Sequence, residues 1–149
     1  MTTRSRNYHG ISEIAKAGKH RWEDAQAMLY AGRWRGAMYL AGYTVECALK
    51  TKLMTRFRCR NLKGLEEVLH RRGLLGKTMS VFTHQLEVLL QLTDSSDRLR
   101  SNASMWASFS VVNQWIPAWR YSADLGTSEE ATAFVQSVAA ALRWIENNI

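Results

Sequence analysis

The chain has 149 residues, of which 46% are hydrophobic, and it contains six tryptophans and one proline. These values exclude a disordered chain, and the length suits one globular domain with a single core. The scarcity of proline favours helices, and no alternating apolar–polar run predicts a strand.

The formal net charge of +7 is unevenly distributed along the chain. The segment from Lys50 to Lys77 carries nine basic and two acidic residues, whereas basic and acidic residues balance elsewhere. This segment predicts either a solvated basic helix end or a platform for RNA or another polyanion. The candidate polyanion-binding residues are Arg56, Arg58, Arg60 and Lys63.

The two cysteines, Cys47 and Cys59, lack the spacing of a zinc site. We expect reduced thiols, no metal, no cofactor and a cytoplasmic location. The first residues, MTTRSRNYHG, contain no apolar signal core, and no segment predicts a membrane span or a membrane partner.

The chain begins with two long helices that we expect to be antiparallel. Ser12 is the candidate N-cap of the first, which runs to about Ala31. A break at GRWRG, residues 32–36, precedes a second helix that continues to about Phe57.

Shorter segments follow in the middle of the chain. We predict helices over residues 64–72, from about 84 to 93 and over 102–115, with a loop over 73–82 and a polar linker over 93–97. Pro117 is expected to end the third of these helices and to begin an irregular aromatic segment.

The last helix has a clear N-terminal signal, because Thr127 and Glu130 have the spacing of a capping box. The prediction for residues 1–149 is therefore a single all-α bundle of about five to six helices. Residues 1–10 are expected to form a flexible tail.

One acidic residue interrupts the most apolar part of the second helix. Ala37–Lys50 reads AMYLAGYTVECALK, and a helix that is apolar on all faces belongs inside a domain. Glu46 therefore needs a buried partner. The alternatives are Lys50, one helical turn later, and Arg120, which is the preferred candidate for a partner from elsewhere in the bundle. His84, at the start of a predicted helix, is expected to help close the N-terminus of that helix or to serve a ligand.

Four motifs occur in an order that resembles HEPN domains. The second helix, GAMYLAGYTVECALK over residues 36–50, resembles the long second helix of this family. The supporting motifs are Asp24-Ala25 with Leu29, His84-Gln85-Leu86, and Trp119-Arg120-Tyr121 before the last helix.

The resemblance implies a compact helical bundle that pairs into a homodimer. Many members of the family are metal-independent endoribonucleases of toxin–antitoxin, defence or RNA-processing systems. Others are non-catalytic, bind RNA or nucleotides, and act beside a nucleotidyltransferase-type partner.

The sequence departs from the ribonuclease pattern of that family. Ribonuclease members use an arginine followed by a histidine four to six residues later, but no histidine occurs here beyond His84. Arg120-Tyr121 looks like the arginine–tyrosine pair of the non-ribonuclease branch, although Ser122 stands where a proline is usual. The resemblance thus favours a non-catalytic module with no catalytic residue.

The residues and the resemblance lead to one hypothesis. Glu46 orients Arg120, with Tyr121, Lys50 and His84 nearby, in a pocket or dimer groove that accepts phosphate. One alternative is a ribonuclease toxin in which a displaced histidine such as His84 acts with Arg120. The other is a purely structural oligomerisation domain.

Overall fold

The computed structural model describes residues 9–149 and shows an all-α bundle, which confirms the predicted fold class. Within this range there are seven α-helices, one 3-10 turn and no strand. The elements are α1 (Ile11–Tyr30), α2 (Trp34–Arg56), α3 (Leu62–Arg71), α4 (Leu86–Leu92), α5 (Ser96–Arg100), α6 (Ala103–Val112), the 3-10 turn η1 (Pro117–Tyr121) and α7 (Ser128–Asn148).

The two long N-terminal helices form a hairpin, as expected. Gly32 adopts a φ of 75° in the short turn between them, a conformation that glycine accepts without strain. The helices approach closely at Gly18, where an added Cβ would lie 2.9 Å from the Cβ of Cys47. This close contact fixes the register of α1 against α2.

Helix α2 lies at the centre of the bundle and packs against α1, α3, α4, α7 and η1. Gly42 lets the indole of Trp115 lie directly on it, since a Cβ there would be 2.1 Å from the Trp115 ring. The Trp115 Nε1 donates a hydrogen bond to the Tyr39 carbonyl at 2.9 Å. The segment that leads into η1 is thereby anchored to α2.

Helix α7 begins as predicted, because the Thr127 hydroxyl accepts a hydrogen bond from the Glu130 backbone N–H at 3.1 Å. The Glu130 carboxylate lies 3.7 Å from Arg35 on α2. The apolar face of α7, which includes Phe134, Val138 and Ile145, is buried. The cap and this face together dock α7 on the core.

The helix count exceeds the expected five to six because α5 forms in and beyond the predicted linker. Leu99, which is 2% exposed, anchors this five-residue helix in the core. Burial of Leu99 in the core therefore stabilises a helix that the polar residues 93–97 did not predict.

Two predicted helix ends also differ. Helix α1 has Gly10 rather than Ser12 as its N-cap, because Ile11 N–H donates to the Arg60 carbonyl at 2.8 Å in a short antiparallel bridge between Gly10 and Asn61. Helix α6 ends at Val112, and Pro117 begins η1 instead of ending a helix.

The expected flexible tail lies mostly outside the described residues. His9 and Gly10 belong to it by sequence, and the His9 carbonyl accepts a hydrogen bond from Leu62 N–H at 3.0 Å. Among residues 9–149, no helix has both the length and the hydropathy needed to cross a membrane.

Candidate functional site

The buried acid of α2 has a partner on each of its carboxylate oxygens. Glu46 is 3% exposed. Its Oε2 lies 3.2 Å from Lys50 Nζ, and its Oε1 lies 2.5 Å from His84 Nδ1. These two partners offset the free-energy cost of burying the carboxylate away from water.

The helix itself explains why Lys50 is a partner of Glu46. Residues four positions apart lie on the same face of a helix, so Lys50 is one turn from Glu46. Lys50 is itself only 6% exposed. The predicted Glu46–Lys50 pair is thus present as a buried ion pair.

The predicted Glu46–Arg120 pair does not form within the described structure, and His84 takes its place. Both carboxylate oxygens are occupied by Lys50 and His84. Arg120 is exposed on η1, and its guanidinium lies 4.9 Å from the centre of the Tyr121 ring. Tyr121 and a hydrogen bond with Tyr39 raise the pKa of Arg120 above its ordinary value, so the guanidinium is permanently charged.

His84 is held by a buried group but remains open to solvent. Its side chain is 54% exposed, whereas that of Glu46 is 4% exposed. A carboxylate accepts hydrogen bonds, so Nδ1 carries the donated proton and Nε2 is the nitrogen left for a ligand. His84 does not cap α4, whose N-cap is Gln85 without a side-chain bond.

Arg120 and His84 line one cavity of about 360 Å³, which we call the Arg120 cleft. Among the described residues, every side chain on its lining is basic, aromatic or apolar. Those that matter for a ligand are Arg21, Tyr39, Tyr43, His84, Trp115 and Arg120. The structure therefore brings together two of the predicted site residues that are distant in sequence.

Arg21 was missed by sequence reasoning. It lies on α1 and reaches the cleft because α1 packs against α2. Its Nε donates to Asp24 Oδ2 at 2.9 Å, so part of its charge is neutralised. No motif marks this residue, since its position depends on the register of the helical hairpin.

A smaller cavity of about 280 Å³ has Glu46, Lys50 and Cys47 on its lining. Tyr43 and His84 line both this cavity and the Arg120 cleft. Burial raises the pKa of Cys47 to about 12, with a further contribution from Glu46, so the thiol is neutral at ordinary pH. Burial also raises the pKa of Tyr43.

Tyr121 does not line the Arg120 cleft. Its side chain is 77% exposed and lies beneath the Arg120 guanidinium. A cation stacked on an aromatic ring loses some of its freedom to move. Tyr121 therefore supports Arg120 from outside the cleft.

The predicted polyanion-binding residues occupy a different part of the surface. Arg56 donates to the Thr93 carbonyl at 2.5 Å and lies 6.0 Å from the Phe57 ring centre, so it is partly engaged in the fold. Arg58, Arg60 and Lys63 are exposed. None of these four residues lines the Arg120 cleft.

Comparison of the chain with protein-family models, with curated proteins and with solved structures gives no match. The HEPN resemblance therefore rests on the sequence motifs and stays a prediction. Among residues 9–149, no group of three or more His, Cys, Asp or Glu side chains is placed to hold a metal ion.

Proposed function

We propose that this protein is a non-catalytic, HEPN-type module that binds a phosphate-bearing ligand, RNA or a nucleotide, in the Arg120 cleft. The observation that carries the proposal is that Arg120 and His84 line one cleft while Glu46 holds His84 from the core. Glu46 thus orients His84, and not Arg120 as predicted from the sequence.

The charges of the cleft suit an anion. Arg120 presents a planar guanidinium that donates two parallel hydrogen bonds to phosphate oxygens. Arg21 adds a cation that is shared with Asp24. Because no acidic side chain lies on the described lining of the cleft, a phosphate would meet no like charge there.

The aromatic residues suit the rest of a nucleotide. Tyr39 and Tyr43 are half-buried and line the same cleft as the two arginines. Aromatic rings stack with nucleobases whatever the base, since every base has a π-face. A phosphate at Arg120 with a base near these rings is the arrangement that we propose.

The test is equilibrium binding of labelled nucleotides and of total RNA fragments to Arg120→Ala. We expect loss of binding with an unchanged circular dichroism spectrum, because Arg120 is exposed and contributes little to packing. Arg143→Ala is the matched control, since Arg143 is an exposed arginine on α7 outside the cleft. Equal binding by wild type and Arg120→Ala would reject the proposal.

A ribonuclease is the second candidate function, and the shared cleft of His84 and Arg120 is the observation that favours it. In that case the RNA 2′-hydroxyl attacks the adjacent phosphorus and the bond to the 5′-oxygen breaks. His84 Nε2 takes the hydroxyl proton, Arg120 stabilises the phosphorane charge, and solvent protonates the leaving oxygen. We would then expect the protein to release 2′,3′-cyclic phosphate ends in the presence of EDTA and His84→Ala to release none. That result would favour a ribonuclease over binding alone.

We also propose, from the resemblance, a homodimer that works with a nucleotidyltransferase-type partner in a toxin–antitoxin or defence system. Tyr121 and Leu125 are 77% and 73% exposed, so each leaves apolar surface that a second copy can cover. Light scattering of the purified chain tests the dimer. A dimer that binds neither RNA nor nucleotide would favour the structural oligomerisation domain.

A further inference from the structure

A second cavity, of about 670 Å³, adjoins the Arg120 cleft. His84, Trp115 and Pro117 line both cavities, so the two meet along these three residues. We call the second one the amide cleft, because Gln85, Gln91 and Asn113 lie on its lining. The two clefts are therefore neighbours, with His84 on the lining of each.

The amide cleft differs in chemistry from the Arg120 cleft. Its three side-chain amides make no hydrogen bond with any other described residue, and each presents both a donor and an acceptor. Glu87 is the one acidic side chain on its described lining, and Arg100 lies 3.8 Å from that carboxylate. The cleft is therefore close to neutral and rich in paired donors and acceptors.

Apolar side chains flank these amides. Phe82 is 42% exposed and Ile116 is 50% exposed, and both line the amide cleft. An exposed aromatic or aliphatic surface beside side-chain amides suits a flat, polar-edged ring, since the ring faces are apolar and the edges carry hydrogen-bonding groups.

We propose that the amide cleft receives an unpaired nucleobase of a single-stranded nucleic acid whose adjacent phosphate lies at Arg120. The inference rests on the proposed function and specifies the class of ligand for the Arg120 cleft and its neighbour. A base in a duplex is stacked and paired, so its edge is not free to enter such a cleft. The ligand is thus a single strand whose phosphate lies at Arg120. The base on one side of that phosphate lies near Tyr39 and Tyr43, and the base on its other side enters the amide cleft.

The test measures the binding of a fluorescent single-stranded RNA of eight nucleotides to wild type and to the double variant Gln91→Ala/Asn113→Ala. We expect about a tenfold weaker affinity, the loss that one or two hydrogen bonds to a ligand produce. Both side chains are exposed, so the fold is expected to persist. Gln136→Ala, an exposed amide on α7, is the matched control and should bind as wild type does.

Two further arms separate the base site from the phosphate site. Asn113→Asp keeps the size of the side chain but adds a negative charge, so it should also weaken binding of the single strand. Ribose 5-phosphate, which has no base, should bind the double variant and the wild type equally. A duplex of the same sequence should compete at least tenfold less well than the single strand.

If the double variant binds the single strand as wild type does, or if the duplex competes equally, the base site is rejected. The proposed function survives that result provided that Arg120→Ala still abolishes binding. If wild type binds neither ribose 5-phosphate nor RNA, the proposed function fails and the base site fails with it.

Discussion

The Nδ1 of His84 lies 2.5 Å from Oε1 of Glu46, although the two residues are 38 positions apart in the chain. One member of this pair is buried in the central helix and the other is open to solvent. A buried carboxylate therefore fixes the orientation of an exposed imidazole in the Arg120 cleft. Lys50 supplies the positive charge that keeps the carboxylate inside the core.

Replacement of Glu46 by leucine should destabilise the protein strongly. The substitution leaves the Lys50 ammonium buried without a partner, and loss of one member of a buried ion pair costs about 3 to 5 kcal/mol. The free energy of unfolding in urea measures the effect. In the control, Glu46→Leu/Lys50→Met removes both charges and should recover part of the loss; equal destabilisation of the single and double variants would contradict the role given to the ion pair.

Replacement of Gly42 by alanine should disturb the site through Trp115. An added Cβ would lie 2.1 Å from the Trp115 ring, so the indole must move away from α2. We expect a loss of about 1 to 3 kcal/mol, as for overpacked cores, and a change in tryptophan fluorescence.

Gly64→Ala is the matched control for that substitution. Gly64 is also helical, but an added Cβ there would lie 3.4 Å from Asn61 Oδ1, which is an ordinary contact distance. Its stability should equal or slightly exceed that of the wild type, because alanine favours helix. A similar loss in both variants would show that glycine at position 42 is not required by Trp115.

Cys47 should make stability depend on pH in the alkaline range. Burial raises the pKa of this thiol from 9.0 to about 12 in the folded state. Its contribution to stability is therefore complete below pH 9.0 and is lost as the pH rises towards 12, because the unfolded thiol ionises first. Cys47→Ala should flatten the pH dependence of the free energy of unfolding in this window relative to the wild type. Cys59→Ala should flatten it less, because burial raises the pKa of Cys59 too but this thiol is less buried than Cys47. Identical slopes in the two variants would contradict the burial of the thiol as the cause.

Arg35 should restrain the loop between η1 and α7. Its backbone N–H donates to the Leu125 carbonyl at 3.1 Å, and its guanidinium lies 3.4 Å from Asp124 and 5.2 Å from the Trp119 ring centre. Arg35→Met removes the side-chain contacts, and we expect faster hydrogen exchange over residues 122–127. Arg33→Met, an exposed neighbour, serves as the control. Unchanged exchange in Arg35→Met would contradict the role of the side chain. The hydrogen bond from Arg35 N–H to the Leu125 carbonyl would then be what restrains the loop.

The sequence predicted the features that depend on neighbouring residues. The Thr127 cap and the Glu46–Lys50 pair follow from spacings of three and four residues on a helix. The burial of Glu46 followed from the apolar character of its helix. Each of these predictions uses only the residues of one helix, so none of them requires knowledge of how the helices pack.

The features that depend on packing between different elements could not be predicted from the pattern of a single segment. The choice of His84 over Arg120 depends on how the segment before α4 packs against α2. The position of Arg21 depends on the register of α1 and α2. Helix α5 depends on a pocket for Leu99, which other elements provide. No periodicity in a single segment carries this information.

The central claim is that His84, held by Glu46, faces an anion that Arg120 binds, and imidazole NMR tests it most directly. In ¹⁵N-labelled protein titrated with a nucleoside monophosphate, the Nε2 resonance of His84 should shift and saturate. Those of His20 and His70, which are exposed on α1 and α3, should not move. The shift should be lost in Arg120→Ala and kept in Arg143→Ala. An unmoved His84 resonance, or the same shift in wild type and Arg120→Ala, would contradict the account.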